Sequence, residues 1–236
     1  MSDRPPTEGV RGPLTRELLL AGKLGAIVAK SNPGARILDD AERAASLRAI
    51  LDSRPEQGDG LWVFAYGSLI WNPLLEIERE QLAVAVGWHR AFCLLAKSGR
   101  GTPEHPGLML GLREGMRCIG AVLRIAEEKL EMELDLLWRR EMVADGYIPR
   151  WVPIEDGDGV AMGQAIAFTI NPHGPAYCGD LPEMETVRRL ATAKGGLGTA
   201  AEYLFRTRDG LRAMGMMDPF VERLATLVDA EMVLPD

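Results

Sequence analysis

Residues 62 to 73 read Trp-Val-Phe-Ala-Tyr-Gly-Ser-Leu-Ile-Trp-Asn-Pro, and no other stretch limits the possible folds as much. Trp62, Val63, Phe64 and Ala65 form a short apolar run of strand formers. The run breaks abruptly into Tyr66-Gly67-Ser68-Leu69, with Pro73 close behind. Gly67 can take positive φ values closed to most residues, and it lets another molecule approach the main chain closely. A buried strand that opens into such a turn leaves main-chain N–H groups without ladder partners. These either form an anion-binding nest or are the amides of an ordinary turn.

The surroundings of this string set the fold class. Residues 14 to 30 and 39 to 51 have helical composition, the second after an acidic Asp39-Asp40 start that suits the helix dipole. Residues 52 to 60 read as a linker. Apolar runs at 62 to 65, 82 to 96, 108 to 112, 118 to 125, 151 to 154 and 165 to 170 read as strands. From about Leu181 onward the pattern is three helices, parted at Gly195-Gly196 and near residues 215 to 219. Strands clustered without a helix between each pair argue against a doubly wound parallel sheet. The expectation is an α+β fold, a small mixed and largely antiparallel barrel with helices outside it. A chain of 236 residues, 47% hydrophobic, can bury one substantial core. We therefore expect a helical extension over residues 1–60, its first 13 residues without fixed structure, and one domain over 61–236.

The apolar runs are far shorter than a membrane span, and the N-terminus lacks the apolar segment of a signal peptide. The expected compartment is the cytoplasm. A net charge of −7 argues against nucleic acid as the main partner, and no segment marks an obligate protein partner. Cys93, Cys118 and Cys178 are odd in number and far apart, which points to buried free thiols.

A second stretch carries chemistry. Leu130, Leu134, Leu137 and Trp138 recur at helical spacing. At about 100° per residue, Glu141 lies about 20° from the line of Leu134 on that apolar stripe. Asp135 and Glu133 fall about 100° to either side. A carboxylate on the apolar face of a helix C-terminus loses hydration and gains nothing from the dipole, so its pKa should rise toward that of a general base. The other reading is a frayed helix end with Glu141 neutralised by Arg139, Arg140 or Arg150.

Both stretches resemble one family. Tyr66-Gly67-Ser68-Leu69 resembles the signature of the γ-glutamylcyclotransferases, and Ile70-Trp71-Asn72-Pro73 looks like its ChaC branch, which acts on glutathione. Trp138-Arg139-Arg140-Glu141-Met142 followed by Gly146-Tyr147 is similar to the ChaC motif in which an Arg-Glu pair precedes a glycine and a tyrosine. Tyr203, in Ala201-Glu202-Tyr203-Leu204, resembles a tyrosine of the C-terminal motif. Asp145 departs from the pattern, standing where many relatives carry a first glycine. The resemblance covers about residues 60 to 230. It implies a small barrel flanked by helices, with the loop at one mouth. Glu141 would be the catalytic residue, with Val63, Phe64, Ala65, Tyr66, Gly67, Ser68, Leu69, Tyr147 and Tyr203 binding substrate. The implied reaction closes the γ-glutamyl group of glutathione to 5-oxoproline and releases cysteinylglycine, with no metal, nucleotide or flavin. Other γ-glutamyl amines as substrates, or a non-catalytic binding protein on this scaffold, are the alternatives.

Other features carry less. Gly196-Leu197-Gly198-Thr199-Ala200-Ala201 matches a dinucleotide-binding pattern, but a helical stretch precedes it rather than the required strand. His89, His105 and His173 are scattered, with no two at ligand spacing, so no metal site is expected. Ser68 lacks the Gly-x-Ser-x-Gly elbow of a nucleophile and reads as a loop former and substrate donor. Residues 97 to 103 read as a solvated turn or a lid.

Overall fold

The expected strands close on themselves. In the computed structural model, which describes residues 14–55 and 60–233, they are β1 (Gly60–Ala65), β2 (Arg79–Ala96), β3 (Gly107–Ala126), β4 (Tyr147–Glu155) and β5 (Ala161–Ile170). They form a barrel in the order β1, β3, β2, β4, β5. All four neighbouring pairs in that order are antiparallel. The barrel is completed by short parallel contacts, Val63 opposite Ile166 and Leu112 opposite Thr169. The expectations for residues 1–13 and for the linker over 56–59 lie outside the described residues.

Where two strands were expected at 108 to 112 and 118 to 125, there is one. The intervening Arg113-Glu114-Gly115-Met116-Arg117 is mostly charged and, from Glu114 on, exposed, yet Arg113, Glu114 and Arg117 still pair with His89, Trp88 and Val86 of β2. The register shifts between Val86 and Trp88, at Gly87 with φ +83°. That conformation suits glycine at a bulge, which bends the hairpin.

Alternation along β1 divides the core. Leu61, Val63 and Ala65 pack against α5 (Leu130–Glu141), with Leu134, Leu137, Trp138 and Phe168. Phe64 joins the other cluster with Leu108, Leu110, Val152 and the helices α6 (Glu183–Thr192), α7 (Ala200–Ala213) and α8 (Pro219–Val233).

The N-terminal helical stretch is two helices rather than one. It comprises α1 (Arg16–Leu20) and α2 (Leu24–Ser31), parted where Gly22 takes φ +64°. A further helix, α3 (Asp40–Asp52), begins with a capping box between Asp39 and Glu42. A four-residue helix, α4 (Ser68–Trp71), follows the Gly67 turn. Gly196 lies in the turn of a minimal hairpin, β6 (Lys194–Gly195) and β7 (Gly198–Thr199), set between α6 and α7. Thr199 then caps α7 by accepting from the Glu202 N–H.

Candidate active site

The stripe of α5 positions the carboxylate. Leu130, Leu134, Leu137 and Trp138 are buried along it, and Glu141, the last helical residue, has a side chain only 14% exposed. The helix end is held rather than frayed. The Met142 N–H bonds to the Trp138 carbonyl, and the Val143 carbonyl accepts from the Leu38 N–H.

Of the three arginines weighed against Glu141, Arg140 is the one that meets it. Its Nε lies 2.8 Å from Glu141 Oε1, while Arg139 pairs with Asp135. The Arg140 fork also reaches the other side of the site. Its Nη2 donates to Ser68 Oγ at 2.9 Å, and its Nη1 donates to the carbonyls of Pro73, at 3.0 Å, and Asn72. Burial raises the Glu141 carboxyl above the usual carboxylate range, and the charge and hydrogen bond of Arg140 offset this only in part.

Seven of the expected residues meet in one cleft. Tyr66, Gly67, Ser68 and Leu69 from the loop, Glu141 from α5, Tyr147 from β4 and Tyr203 from α7 line it, with Leu110 and Phe168. The cleft is narrow, about 20 Å³. Val63, Phe64 and Ala65 are not among its lining residues. They are fully buried, paired across to Leu123, Val122 and Ala121 of β3. Their part is to hold the strand that delivers the loop.

Gly67 does not use the positive φ anticipated for it, since φ is −145°. Glycine is required there for space: a Cβ would stand 2.7 Å from the Tyr203 hydroxyl oxygen.

Burial raises the phenols of Tyr66 and Tyr147 well above the usual range, and that of Tyr203 to about 12. All three therefore keep their protons at neutral pH. Tyr66 donates to the Phe168 carbonyl at 2.6 Å and Tyr147 to the Leu110 carbonyl at 2.8 Å. With those hydrogens committed, the two oxygens retain lone pairs that can accept from a cation. Leu110 and Phe168 were missed in the sequence because they contribute main-chain carbonyls, which no residue type advertises.

The loop after β2 is solvated only in part: Thr102 and Pro103 are exposed, but its middle is not. Arg100 is buried, donates to Glu202 Oε2 at 2.6 Å and to the Thr199 carbonyl, and lies over the Trp71 ring. Cys93 and Cys118 are buried and free, whereas Cys178 is partly exposed. Among the described residues no cluster of three His, Cys, Asp or Glu side chains could hold a metal ion. No described helix is long and apolar enough to cross a membrane. A larger groove of about 690 Å³ runs between α3 and α5, but it contains neither Glu141 nor the loop. The perturbed carboxyl beside a strand-to-helix loop makes the smaller cleft the candidate active site.

A family model described as ChaC-like protein matches residues 61–231. The chain belongs to the ChaC-like family. The chain is 46% identical over 177 residues to the glutathione-specific gamma-glutamylcyclotransferase of Escherichia coli K12, covering 75% of this chain and 76% of that protein. It is 33% identical to gamma-glutamylcyclotransferase 2-1 of Arabidopsis thaliana, covering 75% of this chain and 85% of the relative. Among solved structures, a yeast gamma-glutamyl cyclotransferase specific to glutathione superposes with TM-score 0.67 at 21% identity, over 73% of this chain and 97% of that one. At that identity the likeness speaks to the ChaC-like fold: a small barrel with its helices outside.

Proposed function

We propose that this chain is a glutathione-specific γ-glutamylcyclotransferase with Glu141 as its proton carrier. The observation that carries the reading is the placement of one partly exposed carboxyl with a raised pKa in the same cleft as the Tyr66–Leu69 loop. The 46% identity to the Escherichia coli relative supports the choice of substrate.

The chemistry needs little more. The α-amine of a γ-glutamyl group and its own side-chain carbonyl share one molecule, so an enzyme that holds the folded conformer removes much of the entropic barrier. The amine arrives as an ammonium, which the oxygens of Tyr66 and Tyr147 can accept, and Glu141 takes one of its protons. The freed nitrogen attacks the γ-carbonyl carbon and a tetrahedral oxyanion forms. The bond to the cysteine nitrogen then breaks as Glu141 returns the proton to that departing nitrogen, and the attacking nitrogen gives up its second proton, which leaves on the released amine as its ammonium. The products are 5-oxoproline and cysteinylglycine, with the carboxylate restored. Amides at the start of α4 have no partner within the helix, and they serve the substrate α-carboxylate or the oxyanion. A scaffold used only for binding has no evident need for a carboxylate in that position. The working compartment we propose is the cytoplasm.

The test is incubation of purified protein with glutathione, γ-glutamyl-alanine and γ-glutamyl-lysine, followed by detection of 5-oxoproline. The expected result is release from glutathione with the highest kcat/KM. Preference for a dipeptide would keep the reaction and overturn the substrate, and no release from any of them would overturn both.

A further inference from the structure

The family match begins at residue 61, yet the helices before it touch the structure on both sides of Arg140 and Glu141. On one side lies the segment Asn72–Leu74, whose first two carbonyls accept from Arg140. Arg16 of α1 donates to the Leu74 carbonyl at 2.9 Å, and Asn72 Nδ2 donates to the Leu14 carbonyl at 3.3 Å. Leu74 has φ +59°, a left-handed conformation in which a branched residue must be held by its surroundings. Leu74 and Leu75 pack with Leu14, Leu18, Leu19 and Leu24 of the extension, and with Leu136 of α5.

Arg16 is itself anchored. Its two terminal nitrogens take both oxygens of Glu133, at 2.7 and 2.5 Å, and that carboxylate is 1% exposed. Glu133 also accepts from the Glu76 N–H at 3.0 Å. On the other side of the catalytic pair, Leu38 N–H donates to the Val143 carbonyl and Ile37 bridges to Ala144. The extension thus grips the residues that orient Arg140 and those that follow Glu141.

We propose that Arg16 is a positioning residue for the reaction, acting through Asn72–Leu74 on Arg140 and through Arg140 on Glu141. This rests on the reading of Glu141 as proton carrier. Loss of the Arg16 fork frees Asn72–Leu74, and Arg140 then loses the two carbonyls that aim it. Arg140 supplies the counter-charge to Glu141. The other titratable groups facing this carboxyl in the cleft are the phenols of Tyr66 from the end of β1, Tyr147 from β4 and Tyr203 from α7, each of which its charge helps to raise. A displaced Arg140 therefore moves the acid limb of the rate profile to higher pH.

The test compares full-length wild type, Arg16→Lys, and the double variant Arg16→Met with Glu133→Gln, which avoids leaving a buried charge alone. Glu17→Gln, exposed on the same helix, serves as the control and should match wild type. Release of 5-oxoproline from glutathione is followed against pH, with circular dichroism as the check on folding. In both Arg16 variants kcat should fall about threefold to tenfold with little change in KM. The acid limb should move up by about half a unit to one unit. A folded variant with an unmoved acid limb overturns the proposal, whatever its kcat. If the double variant does not fold, Arg16→Lys, which keeps a charge against Glu133 but loses the fork, decides by the same criterion. Glu141→Gln run in parallel separates the two readings: if it remains active the mechanism itself has failed, independently of Arg16.

Discussion

Tyr203 stands over Gly67 so closely that a Cβ on the glycine would lie 2.7 Å from the phenol oxygen. A helix from the C-terminal part of the chain thus forms the roof of a loop that leaves the first strand. Gly67→Ala must push the phenol away or displace the loop, and Gly67→Val crowds the amides further. We expect KM to rise about tenfold or more in the alanine variant, with a smaller change in thermal stability. Adding Tyr203→Phe should recover part of the affinity by removing the clashing oxygen. A wild-type KM in Gly67→Ala, or a product complex with the carboxylate away from residues 66–69, would contradict the loop assignment.

Glu133 gives a prediction about acid stability. Burial pushes its carboxyl up, but the Arg16 hydrogen bonds, the Glu76 N–H and nearby positive charge together bring it below its ordinary value of 4.5. A lowered carboxyl contributes stability above its unfolded pKa and loses it as pH falls through the folded value. Glu133→Gln should cost about 2–3 kcal/mol at pH 7, below the roughly 3–5 of a fully buried pair because Arg16 is partly exposed. Urea melts of both proteins should converge as pH falls below 4.5. A gap that stays constant with pH would assign the loss to packing instead.

The sign is opposite at Glu141. Its folded carboxyl is raised above the unfolded value, first by burial and despite Arg140. Stability tied to this group is present below the unfolded pKa and declines as pH rises through the folded one. Glu141→Gln should therefore melt no earlier than wild type at neutral pH. The wild-type rate should show an acid limb above the ordinary glutamate value of 4.5. An acid limb at or below that value would mean that another group titrates.

Intramolecular lactam closure needs proton transfer and a held conformer, so activity should survive exhaustive treatment with a metal chelator and need no added nucleotide. Loss of activity on chelation, restored by one divalent metal, would reveal a cation in the mechanism.

Much of the fold and site was legible because it is written locally. The period of Leu130, Leu134 and Leu137 places Glu141 on the buried stripe, and the run from Trp62 into Gly67 marks a strand that opens into a loop. What escaped was non-local or carried by the main chain. The continuity of β3 through Arg113–Arg117 depends on pairing with β2 rather than on its own polar residues. Glu133 lies off the centre of the apolar stripe yet is buried, because its partner Arg16 comes from far earlier in the chain. Gly67 was singled out for positive φ and for close approach to the main chain: its φ is ordinary, and what crowds it is the Tyr203 oxygen, which no local pattern announces.

The most direct measurement is the turnover of Glu141→Gln with glutathione, scored as 5-oxoproline released per folded enzyme. The amide keeps the shape of the side chain but cannot take the proton of the substrate amine. Binding should be largely kept while kcat falls about a thousandfold or more, a loss of about 4 kcal/mol in the transition state. Turnover within about tenfold of wild type would contradict the assignment, since some other group would then be moving the proton.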